Sequence, residues 1–349
     1  MSSPTPHPAV RVGINGFGRT GRAMFRSAHA HGAAIEWAGI NDVMGTENIA
    51  RLLARDSIYG PFPGRVQAGG AGIIVDGVEI PVTTAAEPAD IPWADTGAEV
   101  VVESTGRFRS REAAEGHLVA GARKVVISAP AKAPDVTVAL GVNFDAYDPR
   151  RHHIISNASC TTNCLAPVAK VLHEAFGIRH GVMTTVHAYT GDQRLLDAPH
   201  KDPRRARAAA LNLVPTTTGA AKAVGLVVPE LEGRLQGYAV RVPVPTASLV
   251  DLTVELECTT SAQTVNDAVG ERADRGSLAG ILAYSEEPLV SSDVIGSSYS
   301  AIFDAGLTSV TDGTQAKVVA WYDNEWGYSS RLAELVQHVL LPLAEPATA

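Results

Sequence analysis

Apolar and polar positions follow two rhythms along this chain, and the change between them divides it in two. In the first half, short apolar runs alternate with stretches of helical spacing. Strands are predicted over 10–15, 35–41, 100–104, 124–128, 136–140 and 153–156, and helices over 19–31, 46–53 and 111–120. Such alternation predicts a parallel sheet with helices on its faces. Gly70, Gly72 and Gly77 around Val75 predict an additional hairpin before the fourth main strand. In the second half the strands lengthen, over 181–187, 238–243, 248–257 and 317–322. Leu249 to Leu256 alternates apolar with polar side chains, as a half-buried antiparallel strand does. Helices are predicted over 160–176, 218–227 and 262–270, with Pro167 expected to bend the first. The pattern therefore predicts an α/β half followed by an α+β half on a mostly antiparallel sheet. A last helical pattern, 329–340 within 325–341, is expected to pack back on the first half.

Composition narrows the chemistry. The 349 residues are 45% hydrophobic and 19% charged, with net charge −8, which argues against nucleic-acid binding. Apolar runs are too short to span a bilayer, so no membrane is expected. Residues 1–9 are rich in Pro and Ser and predict a disordered leader, not a signal peptide. The tail, 342–349, reads as similarly loose. Three cysteines, Cys160, Cys164 and Cys258, make no disulfide framework and no metal site, so a cytoplasmic, reducing compartment is expected.

Two motifs carry most of the information. Gly16-Phe17-Gly18-Arg19-Thr20-Gly21 follows a predicted strand and opens a helix. In that setting its glycines allow a tight turn and close approach to a pyrophosphate at a helix N-terminus. The next strand ends at Asp42, whose carboxylate suits a ribose 2′-hydroxyl and repels a 2′-phosphate, so NAD is favoured over NADP. Residues 10–158 then read as a Rossmann dinucleotide-binding domain and 159–324 as the catalytic domain. The second motif is Ser156-Asn157-Ala158-Ser159-Cys160-Thr161-Thr162-Asn163-Cys164, a thiol among hydroxyls at the start of a helix. A helix N-terminus favours an anion, so Cys160 is the candidate thiolate nucleophile and Cys164, one turn on, a less activated neighbour.

A nucleophilic thiol with a nicotinamide cofactor suggests aldehyde oxidation, which needs a base; His187, at a strand end, is the candidate. Five basic side chains fall within 194–207 of an acidic chain. They suit phosphate, as do Thr216-Thr217-Thr218-Gly219 before a helix and Arg241 at a position that reads as buried.

With these motifs, and with Ile14-Asn15 before the glycines, Thr184–Thr190, Pro215–Ala221, Arg241-Val242-Pro243 and Trp321-Tyr322-Asp323-Asn324-Glu325, the chain resembles the phosphorylating glyceraldehyde-3-phosphate dehydrogenases from about residue 10 to residue 340. The resemblance implies Cys160 as nucleophile and His187 as base. It implies Thr190 and Arg241 on the phosphate of glyceraldehyde 3-phosphate, and Ser159, Thr161, Thr218 and Gly219 on inorganic phosphate, with Arg204 between the two. For the cofactor it implies Gly16, Gly18, Arg19, Thr20, Gly21, Asp42, Ser128 and Asn324, the last on the nicotinamide carboxamide. It also implies a homotetramer in which residues 190–215 reach a neighbour's cofactor pocket. Thr20, where Ile is common, Trp326 and the leader depart from the usual pattern. The alternatives are an inhibitor-resistant paralogue, an erythrose-4-phosphate or NADP-linked dehydrogenase, and a silent NAD-binding protein; the intact Cys160–His187 pair argues against the last.

Overall fold

The computed structural model describes residues 9–340, so the expected leader and tail fall outside the described residues apart from Ala9. The described residues form two compact units, 9–138 with 145–157 and 329–340, and 139–144 with 158–328.

The first unit runs β1 (Val10–Asn15), α1 (Arg19–Ala30), β2 (Ile35–Asn41), α2 (Thr46–Ala54), β3 (Arg55–Asp56), β4 (Gly60–Pro61), β5 (Val66–Ala68), β6 (Gly72–Val75), β7 (Val78–Thr83), α3 (Trp93–Thr96), β8 (Val100–Glu103), α4 (Arg111–Val119), β9 (Lys124–Ile127), β10 (Val136–Thr137) and β11 (Ile154–Ser156). Its main sheet has the order β10-β11-β9-β8-β1-β2-β7-β6-β5. From β10 to β7 the pairs are parallel; β5, β6 and β7 form antiparallel turns at one edge. The central strands β8 and β9 are buried along their whole length, as parallel strands covered on both faces must be. The hairpin expected near 70–77 is β6–β7, turning at Asp76-Gly77, both with positive φ. The strand predicted to reach residue 140 stops at Thr137, because the Ala139 N–H is taken by the Asn143 side chain.

The second unit runs α5 (Cys160–Phe176), β12 (Ile178–Ala188), β13 (Val214–Thr217), α6 (Ala220–Val227), β14 (Leu235–Val242), β15 (Ser248–Leu256), α7 (Ala262–Asp274), β16 (Leu282–Ser285), β17 (Ala301–Thr311) and β18 (Gln315–Tyr322). Its sheet has the order β13-β14-β12-β15-β18-β17-β16, mostly antiparallel, with β12–β14 and β16–β17 parallel. The helix α5 packs into the core of this unit through Leu165, Val168 and Leu172. It continues through Pro167 as one element. An interior proline costs about 3 kcal/mol, and burying those three side chains stabilises by roughly 1.5–3 kcal/mol each, so packing outweighs the break. The helix predicted from 218 begins at Ala220, since Thr216 and Thr217 pair with β14 instead. β17 was not predicted: Asp304 and Gly306 interrupt its alternation, where its register to β18 also shifts. A final helix, α8 (Trp326–His338), has its residues from 329 in the first unit, where Ser330 hydrogen-bonds Ser27 at 2.7 Å.

Candidate active site

The turn into α5 is built to present a thiol. Ala158, 1% exposed, holds φ +54°, a left-handed conformation that costs an alanine about 1 kcal/mol or more. The Tyr328 hydroxyl donates to its carbonyl at 3.0 Å. Ser159 follows as N-cap, its Oγ accepting the Thr162 N–H at 3.0 Å. Cys160 is thereby the first helical residue, half-buried, with Sγ 3.5 Å from His187 Nε2. Cys164, fully buried, lies 3.8 Å from the Ala320 carbonyl, and all three thiols are free.

His187 owes its surroundings to strand pairing. In the parallel β12–β14 pair it stands directly opposite Arg241. An Arg241 terminal nitrogen lies 2.7 Å from His187 Nδ1 and 3.0 Å from the Ala188 carbonyl, which is itself 2.7 Å from Nδ1. Nδ1 can thus accept from the guanidinium or donate to the carbonyl, but not both. The first choice puts a proton on Nε2 facing the sulfur. The second leaves the Nε2 lone pair there, ready to take a proton. Below the pair, the Tyr322 hydroxyl bonds Thr161 Oγ1 and Thr185 Oγ1, each at 2.9 Å, and its ring meets His187 edge-on.

Burial and the Arg241 charge lower the His187 pKa to about 3, so the imidazole is neutral. Burial also pushes the Cys160 thiol up, against the pull of Arg241 and of the Thr161 hydroxyl and N–H. The helix terminus alone predicts the opposite direction; it is a local effect, and desolvation by the surrounding unit opposes it. Because Cys160 is only half-buried at the surface, that desolvation is partial. The two groups rest as thiol and neutral imidazole, one proton transfer from thiolate and imidazolium.

Arg241 has a further property. Its Nε is buried and has no partner among the described residues. A guanidinium with a donor left over calls for an anion. The charge of Arg205 bears on both His187 and Arg241. Arg204 is exposed, on a cavity wall with Thr216, Thr218 and Gly219. Arg205 is held by Thr216 Oγ1 at 2.9 Å and Asp192 at 2.6 Å. Thr190 follows β12 and is half-buried; Thr218 accepts the Ala220 N–H at 3.2 Å just before α6.

In the first unit, a crevice of about 220 Å³ opens at the carboxyl ends of β1, β2 and β8. A Cβ on Gly16 would lie 2.6 Å from the Thr105 nitrogen, and one on Gly21 would lie 2.4 Å from the Gly16 carbonyl. One on Gly18 would meet nothing within 4 Å. The outer two glycines are thus required by packing, and the middle one leaves open space at the N-terminus of α1. Asp42 accepts the Phe17 and Met44 N–H groups at 2.6 and 2.9 Å, which fixes its carboxylate at the crevice wall. The Arg19 guanidinium is paired with Asp56 at 2.5 Å, so its side chain is committed within the protein. Asn15, Asn41 and Phe108 also line the crevice and carried no assignment; the only signal for them was their place at or after strand ends. Ser128 sits one residue past β9, its N–H on the Glu103 carbonyl at 2.9 Å. Among the described residues no group of His, Cys, Asp and Glu is placed to hold a metal, and no helix is long and apolar enough to cross a membrane.

Comparison with known proteins decides the family. Residues 10–111 match the model for the glyceraldehyde 3-phosphate dehydrogenase NAD binding domain, and 159–324 match that for its C-terminal domain. The glyceraldehyde-3-phosphate dehydrogenase of Geobacillus stearothermophilus is 56% identical over 331 residues, 95% of this chain and 98% of that one. That of Streptomyces coelicolor is 56% identical over 330 residues, again 95% and 98%. The chain belongs to the glyceraldehyde-3-phosphate dehydrogenase family. It is therefore an oxidoreductase, and NAD is its cofactor. The crevice fits that cofactor: open backbone at Gly18 beside a helix N-terminus for the pyrophosphate, and a fixed carboxylate at Asp42 for the ribose. In this dehydrogenase Asn324 lies in the second unit, 8% exposed, with its carboxamide oxygen accepting from Ser248 at 2.8 Å.

Proposed function

We propose that this enzyme oxidises and phosphorylates D-glyceraldehyde 3-phosphate to 1,3-bisphosphoglycerate. The observation that carries the reading is the 3.5 Å approach of Cys160 Sγ to His187 Nε2, with an Arg241 that has a donor to spare on the adjoining strand. Cys160 passes its proton to His187 and the thiolate adds to the aldehyde carbon; His187 Nε2 returns that proton to the new oxyanion, giving a hemithioacetal and a neutral imidazole. His187 Nε2 takes the hemithioacetal hydroxyl proton, with Nδ1 turned to the Ala188 carbonyl. When bound, NAD supplies the hydride acceptor. The carbon is left as a thioester on Cys160, and inorganic phosphate displaces the sulfur to give the acyl phosphate.

Thr190 and Arg241 hold the substrate phosphate in this reading. Ser159, Thr161, Thr218 and Gly219 hold the attacking phosphate, and Arg204, on the same cavity wall as Thr218 and Gly219, stands between the two anion sites. Asn324 offers its carboxamide N–H groups to the nicotinamide carboxamide. Gly16, Gly18, Thr20 and Gly21, with the Arg19 backbone, face the pyrophosphate, and Ser128 joins them at the strand end. A homotetramer is part of the reading; it is supported by Leu195, Leu196, Leu211 and Leu213, which are 68–81% exposed in one loop region. A cytoplasmic location fits three free thiols.

Initial rates on glyceraldehyde 3-phosphate and erythrose 4-phosphate, at equal phosphate and NAD, test the substrate assignment. The three-carbon aldehyde should be used with kcat/KM at least about tenfold higher, the difference one well-placed phosphate contact supplies. Preference for the four-carbon aldehyde would transfer the assignment to it.

A further inference from the structure

We propose that Ser248 is a positioning residue: it fixes which way the Asn324 carboxamide faces, and so which face of the nicotinamide ring is presented. The proposal rests on the reading of Asn324 given above.

The direction of two hydrogen bonds carries it. The Ala188 N–H donates to Ser248 Oγ at 3.1 Å, and Ser248 Oγ donates to Asn324 Oδ1 at 2.8 Å. A backbone N–H can only donate, so the serine oxygen is an acceptor there and its own proton must find an acceptor elsewhere. That acceptor is Asn324 Oδ1. The carboxamide oxygen is thereby pinned inward, and the Nδ2 group, with its two N–H donors, is turned away from the serine. Were the amide reversed, Ala188 and Asn324 would both donate to one oxygen. The hydroxyl proton would then have no acceptor at a residue 2% exposed.

The backbone is shaped to the same end. Ala247, also 2% exposed, holds φ +68°, a left-handed conformation that a non-glycine residue adopts only when its surroundings dictate it. Its two neighbours each grip one of two consecutive residues after β18. Thr246 Oγ1 donates to Asp323 Oδ1 at 3.0 Å, and Ser248 takes Asn324. Asp323 is held further by the N–H groups of Gly296, Glu325 and Trp326 at 2.8–2.9 Å. The strained residue thus lies between the two contacts that set the backbone and the side chain of Asn324. The same serine oxygen holds Ala188, next in chain to His187. One hydroxyl therefore anchors both the proton acceptor's strand end and the amide.

Two readouts test this on the full-length enzyme. NAD affinity is measured by titrating intrinsic fluorescence without substrate. Stereochemistry is measured by oxidising [1-2H]glyceraldehyde 3-phosphate and locating the deuterium at C4 of the reduced cofactor by proton NMR. Ser248→Ala should weaken NAD roughly five- to tenfold, the effect of one lost hydrogen bond, and should deliver detectable deuterium to both ring faces. Ser248→Thr, which keeps the hydroxyl, should restore single-face delivery. Ser248→Ala with unchanged affinity and a single face would overturn the proposal. If the alanine variant does not fold, Ser248→Cys, with its weaker donor, carries the same two expectations. Asn324→Ala separates the two levels. If it disturbs both readouts while Ser248→Ala disturbs neither, only the role of Ser248 fails. If Asn324→Ala disturbs neither, the reading of Asn324 fails and the proposal with it.

Discussion

Cys160→Ser is expected to lower turnover by at least about 10³-fold while leaving NAD binding within a factor of about two. The two halves of that expectation come from different parts of the chain. A serine hydroxyl ionises far less readily than a thiol, so the proton transfer to His187 that readies the nucleophile becomes much less favourable. The cofactor crevice, by contrast, is lined by residues of the first unit, none of them near Cys160 in sequence. Steady-state rates and a binding titration on the same preparation check both halves. A serine variant keeping more than a tenth of the wild-type rate would mean that Cys160 is not the nucleophile.

His187→Asn is expected to cost on the order of 10²–10⁴-fold in kcat, the usual contribution of a positioned base. It should also change how stability responds to acid, and the sign follows from the pKa values. The unfolded chain holds a proton on His187 below pH ~6.5, whereas the folded chain refuses it until about pH 3. Between those limits the unfolded state binds more protons, so wild-type stability falls as pH falls. The share from this one group is up to about 1.4 kcal/mol per pH unit. Asparagine removes that share. Urea unfolding at pH 6.5 and 4.5 should show the variant losing roughly 2 kcal/mol less than wild type over the interval. Equal losses would show that the imidazole is not held neutral by burial.

What could be read in the sequence was local. The helix expected over 160–176 has the bounds Cys160–Phe176, because its N-cap serine and its apolar spacing are both written within a few residues. The glycine turn was legible for the same reason, since strand, turn and helix are contiguous. The reacting group was legible only residue by residue. Cys160, His187 and Arg241 meet because β12 and β14 pair in parallel, and a parallel register across 54 positions leaves no mark on either strand alone. The direction of the thiol's pKa was misjudged because a helix terminus is visible in sequence and burial by a distant strand is not. β17 escaped because Asp304 serves Trp321, whose Nε1–H it accepts at 2.9 Å, and so breaks the alternation that marks a strand.

The central claim is a thioester on Cys160 that waits for phosphate. Enzyme saturated with NAD and mixed with glyceraldehyde 3-phosphate in phosphate-free buffer is the most direct test. The account predicts a burst of one NADH per chain, a triose-phosphate acyl group on the Cys160 peptide by mass spectrometry, and resumed turnover when phosphate is added. Continued turnover without phosphate, with no acyl group on Cys160, would contradict it.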